Sequence, residues 1–240
     1  MSIVTRKSEV KEYLSTVLTA YRSGSLEACV EACEVELLRK KVKFPLLEYC
    51  AHELYSELAS DDHILFCDKI EALKYEGGNV ILGIMLQNRL SDNFEESLLK
   101  TTEYVSKADI WYVCDIIGER VFGYALRTEP QKAISTIKLL FDHENIWVIR
   151  SLGAGIHNAV RKELNEEYVR QLFPLLLSKA AHKNKEVRQG VGWAAKTTAR
   201  FHPSIIKEFE HKIDDSTLVA NWFRAKIKIG LNRHAYATRN

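Results

Sequence analysis

The sequence predicts an all-α chain, a stack of antiparallel helix pairs of the α-solenoid type. Three observations lead there. Apolar residues recur at spacings of three and four along nearly the whole chain. Proline and glycine are scarce, four and eleven among 240 residues, so few turns are forced. Polar capping residues divide the apolar stripes into segments of about 10 to 18 residues joined by short loops, the rhythm of stacked helix pairs.

The elements follow in order. Val10, Tyr13, Leu14, Val17, Leu18 and Tyr21 make a first helical stripe, closed by Ser23-Gly24, and Leu26 to Leu38 make a second. The basic run Arg39 to Lys43 leads into Pro45, suited to the first turn of a third helix. Ser60-Asp61 caps a fourth, with Gly77-Gly78 expected to end it. Asn79 opens a fifth to Leu90, and Asp92 caps a sixth through Val105. Asp109 caps a helix through about Leu126, and Pro130 starts one ending near Asp142. Asn145 opens a helix to about Leu164, Glu166 to Ala181 is next, Asn184 to Phe201 follows, and Pro203 starts another. Asp214-Asp215 is expected to cap the last, ending at Gly230, with a frayed basic tail over 231–240. No linker or composition shift divides the chain, so a single domain over 1–240 is expected.

An internal repeat supports stacking. Val148-Ile149-Arg150-Ser151-Leu152-Gly153 resembles Glu186-Val187-Arg188-Gln189-Gly190-Val191, and the arginines stand 38 residues apart. That approaches the period of about 40–47 residues of HEAT and armadillo repeats. Gly153, Gly155, Gly190 and Gly192 lie inside helices, where each costs about 1 kcal/mol against alanine, so close helix packing or close ligand approach is expected there.

Charge and cysteine content narrow the function classes. The net charge of +2 is close to neutral and does not by itself mark a nucleic-acid binder, because a solenoid can hide a basic face beneath an acidic back. Cys29, Cys33, Cys50, Cys67 and Cys114 fall inside apolar helical patterns and read as buried thiols of a reduced, cytoplasmic protein. Cys29 and Cys33 lie one turn apart, but no partner pair completes a zinc site, and no metal or cofactor is expected. No signal core opens the chain, and the run Val80 to Leu86 is too short to span a bilayer. Gly-rich phosphate loops and Gly-x-Ser-x-Gly are absent, and the histidines, His157, His182 and His202 among them, read as surface or capping residues.

Three second-half helices each carry a tryptophan near a polar residue at helical spacing: Trp111 with Asp115, Trp147 with Arg150, and Trp193 with Lys196. Taken singly, each tryptophan reads as core. In stacked pairs, however, corresponding faces of successive inner helices line one groove, where these residues can converge.

The stretches Trp111-Tyr112-Val113-Cys114-Asp115, Asn145-Ile146-Trp147-Val148-Ile149-Arg150 and Gly192-Trp193-Ala194-Ala195-Lys196 resemble the AlkD-like family of HEAT-like DNA alkylation repair glycosylases, in order and interval. The Phe201-His202-Pro203 turn is similar too. The resemblance runs from about 107 to 230 and extends to the first hundred residues only in helical rhythm. It implies action on duplex DNA that carries alkylated bases, hydrolysing the N-glycosidic bond of cationic purines such as N3-methyladenine and N7-methylguanine; a monomer is the default expectation, because a solenoid has no obligatory partner. It implies Asp115 as catalytic carboxylate, Trp111 and Trp193 as aromatic walls, and Arg150, Lys196 and Arg200 as DNA contacts; Arg188, the repeat counterpart of Arg150, is a further candidate DNA contact. Lys196 stands where the family usually has arginine, and Asn158 where it often has lysine. Two other readings remain: a non-catalytic DNA-binding relative, which needs a basic groove but not Asp115, and a protein-interaction scaffold, in which Trp111 and Trp193 are buried.

Overall fold

The computed structural model describes residues 3–238, and among them the chain is all-α, with a single isolated bridge pairing Val4 to Val42. It divides into two compact units, residues 1–100 and 101–240. The helices are α1 (Lys7–Ser23), α2 (Leu26–Cys33), α3 (Phe44–Glu57), α4 (Asp62–Ala72), α5 (Glu76–Arg89), α6 (Phe94–Ser106), α7 (Trp111–Arg120), α8 (Phe122–Thr128), α9 (Pro130–Leu140), α10 (Ile146–Arg161), α11 (Glu166–Ser178), α12 (Lys185–Phe201), α13 (Pro203–Glu208), α14 (Glu210–Ile213) and α15 (Asn221–Ala237).

In the first unit α1 packs on α2 and α3, α2 on α4, and α5 on α3 and α4. The stripe expected over Leu26 to Leu38 is continuous, but its last turn, Glu34–Leu38, widens to π geometry. Gly77-Gly78 does not end α4. That helix stops at Ala72, and Lys74 takes the left-handed conformation (φ 58°) that a glycine was expected to supply. The two glycines open α5 instead, where a Cβ at Gly77 would fall 2.9 Å from Leu47 and one at Gly78 3.3 Å from Ile70. Packing of α5, rather than a turn, accounts for them. All five cysteines are buried free thiols; burial pushes those of Cys29 and Cys50 up to about 12.

In the second unit α7, α10, α12 and α15 stack in that order, with α9, α11 and α13 packed outside them. Asn145 and Asn184 cap α10 and α12 as expected, each side chain accepting the N–H two residues on, at 2.8 Å. A histidine two residues earlier repeats at both starts: the Asn145 N–H donates to His143 Nδ1 and the Asn184 N–H to His182 Nδ1. The helix expected from Asp109 to Leu126 starts at Trp111 and bends at Val121 into α7 and α8. Both halves carry the apolar stripe because both pack on α10, so periodicity alone does not reveal the bend.

The glycines of this unit are packing devices. A Cβ on Gly118 would lie 2.5 Å from the Ser151 carbonyl, binding α7 closely to α10. Gly153 and Gly190 face one another, and Gly190 also meets the Arg150 carbonyl, so α10 and α12 touch backbone to backbone. Gly230 rests on the Lys196 carbonyl and is an interior position of α15, not its end. Asp215 folds a local turn by accepting from the Thr217 N–H and hydroxyl, and α15 begins only at Asn221. Of the tail expected to fray, Leu231 to Ala237 is helical, whereas Arg239 and Asn240 lie outside the described residues. No helix among the described residues is long and apolar enough to cross a membrane.

Candidate functional site

The close approach of α7, α10 and α12 brings three charged side chains into one cluster. Asp115 projects from the middle of α7 and is 7% exposed; Arg150 projects from α10 and is 3% exposed. Arg150 Nε donates to Asp115 Oδ1 at 2.9 Å and Nη2 to Oδ2 at 2.6 Å, a parallel two-bond pairing that suits a planar guanidinium. Its remaining nitrogen, Nη1, donates to Glu186 Oε2 at 2.5 Å. Glu186 sits in the first turn of α12, where its N–H is held by the Asn184 side chain.

Two indoles flank the guanidinium. The Arg150 Cζ lies 5.8 Å from the Trp111 ring centroid and 5.4 Å from that of Trp193, within cation–π range of both. Trp111, the first residue of α7, is 53% exposed, and Trp193 is partly exposed. Neither is the buried core residue that a pure scaffold would require. Trp193 also has the His157 ring 6.0 Å away.

Electrostatics follow from burial. Loss of water pushes the Asp115 carboxyl above the usual aspartate range; Arg150 opposes this and Glu186 adds to it. Arg150 is held above its ordinary value: burial acts to lower it, but the bonds and charges of Asp115 and Glu186 outweigh burial. One turn beyond Asp115, burial raises the Glu119 carboxyl as well. Counted by formal charge, the cluster sets two carboxylates against one guanidinium.

Further along α10 and α12, with Arg233 of α15, lies a recess lined by His157, Arg161, Lys196, Thr197, Arg200, Phe201 and Arg233, four cations and no carboxylate. His157 Nδ1 pairs with the Thr197 hydroxyl at 2.6 Å, and burial, with Arg161 and Lys196 nearby, lowers its pKa to about 4. At neutral pH it adds no charge. Burial also lowers Lys196, with Arg233 and Lys226 contributing.

The residues singled out in the sequence thus separate into three settings. Trp111, Asp115, Arg150 and Trp193 meet. Arg150, read as a DNA contact near the site, is buried and bonded to two carboxylates. Lys196 and Arg200 line the cationic recess. Arg188, the counterpart of Arg150 in the internal repeat, is exposed against the Trp222 ring, 5.5 Å from its centroid. Sequence reasoning missed Glu186, Arg161 and Arg233. Glu186 was visible only as a helix-start residue, and Arg233 lay in the segment expected to fray.

Comparison with curated proteins and with solved structures yields no match. The family model of the DNA alkylation repair enzyme matches residues 42–219, reaching well before the point near 107 where the motif resemblance begins. With most of its length matched, the chain belongs to the family of DNA alkylation repair enzymes.

Proposed function

We propose that the protein is a monofunctional DNA glycosylase that hydrolyses the N-glycosidic bond of cationic alkylated purines, N3-methyladenine and N7-methylguanine among them, in duplex DNA. The observation that carries this reading is the anionic cluster around Asp115 with an indole on either side. A purine alkylated at N3 or N7 is already positive, so it leaves with the bonding electron pair without a general acid. The barrier then lies in the oxocarbenium-like sugar, which a nearby carboxylate stabilises as positive charge grows. Asp115 would stabilise the sugar and orient the attacking water, whose proton passes to the carboxylate or to solvent. Trp111 and Trp193 would wall the nucleotide, while Lys196, Arg200, Arg161 and Arg233 would neutralise backbone phosphates.

One feature favours a second reading, a DNA-binding relative without catalysis: both oxygens of Asp115 already accept from Arg150. Incubating the protein with a duplex that carries one N7-methylguanine and measuring free base separates the two.

A further inference from the structure

We propose that Glu186 is a positioning residue of the Asp115 centre, engaging one end of Arg150 and leaving the site with a net negative charge. The inference rests on the glycosylase reading given above. Asp115 and Arg150 alone would form a buried pair of zero net charge, with little field for a forming cationic sugar. Glu186 changes that balance. It accepts from Nη1, the guanidinium nitrogen that Asp115 leaves unused, at 2.5 Å. Its side chain is 24% exposed against 9% for Asp115, so the added charge stands on the open side of the cluster.

The geometry is fixed from two directions. Asn184 accepts the Glu186 N–H, which anchors the first turn of α12, and the glycine contact between α10 and α12 sets the distance from Arg150 to that turn. The charged and titratable groups bearing on Asp115 are Arg150 from α10, Glu186 from α12, and Cys114 and Glu119 from α7 itself. Among them Glu186 is the carboxylate that shares the Arg150 guanidinium with Asp115. A negative site of this kind selects cationic lesions over neutral ones, because only a cationic base leaves without a proton donor.

The test compares wild type, Glu186→Gln and Glu186→Asp, each carrying 13C-labelled aspartate. The Asp115 carboxyl is titrated by NMR, and base release from an N7-methylguanine duplex is followed in single turnover across pH. Removing the Glu186 charge should lower the Asp115 midpoint and move the acid limb of the rate to lower pH. The maximal rate should fall by about tenfold or more. Glu186→Asp, which keeps the charge, should recover most of the rate. An unchanged Asp115 midpoint and rate in Glu186→Gln would overturn the proposal, as would equal losses in the Gln and Asp variants. A midpoint that moves while even the wild type releases no base supports the charge sharing and overturns the glycosylase reading alone.

Discussion

Arg150 donates to both carboxylate oxygens of Asp115 from a neighbouring helix, with bonds of 2.9 and 2.6 Å, while nearly excluded from water. An ion pair so placed is costly to form and costlier to break, since removing one partner strands the other in a poorly hydrated site. Arg150→Met should therefore destabilise the protein by about 3–5 kcal/mol in urea unfolding, because Asp115 and Glu186 are left facing one another. Adding Asp115→Asn to that variant should restore part of the loss. A cost below about 1 kcal/mol, the level of an exposed pair, would contradict the burial of this cluster.

Gly190 and Gly192 offer a matched contrast on α12. A Cβ at Gly190 meets the Arg150 main chain, which cannot yield without separating the helices, whereas one at Gly192 meets the flexible Lys226 side chain at 3.2 and 3.3 Å. Gly190→Ala should cost about 1–3 kcal/mol. Gly192→Ala should be near neutral, since relief of up to about 1 kcal/mol in helix propensity offsets a mild clash. Thermal unfolding of the two variants reads the difference, and equal melting temperatures would argue against backbone contact between α10 and α12.

The cationic recess makes a prediction about salt. Replacing Lys196 or Arg233 by alanine should weaken binding to undamaged duplex and lower the slope of log K against log salt by about one for each phosphate no longer neutralised. Fluorescence anisotropy over a salt series measures it. Slopes that remain at the wild-type value would remove these side chains from the DNA interface.

How far the sequence carries the structure differs by residue. Asn145, Asn184, Pro130 and Pro203 start helices where expected, because capping and proline effects are local and depend on a few neighbours. Gly77-Gly78 and Gly230 were misplaced because glycine serves turns and tight packing alike, and only the opposing surface, Leu47 or the Lys196 carbonyl, decides between them. The meeting of Trp111, Asp115, Arg150 and Trp193 was legible as a pattern of spacings on successive inner helices. The partner of Arg150 was not. Arg150 and Arg188 hold matching places in the internal repeat, yet one is enclosed by two carboxylates and two indoles, and the other lies open on Trp222.

Whether Asp115 supports cleavage of a cationic nucleoside is decided by base release from a duplex bearing a single N7-methylguanine, with wild type and Asp115→Asn compared in single turnover. The amide oxygen can still accept from Arg150, so the variant should remain folded and bind the duplex. Its rate should fall by about 100-fold or more, the usual loss when a charge-stabilising group is removed. Release by the wild type with that loss in the variant is the predicted result. Equal release by both proteins, or none from a wild type that binds the duplex firmly, would contradict a catalytic role for Asp115.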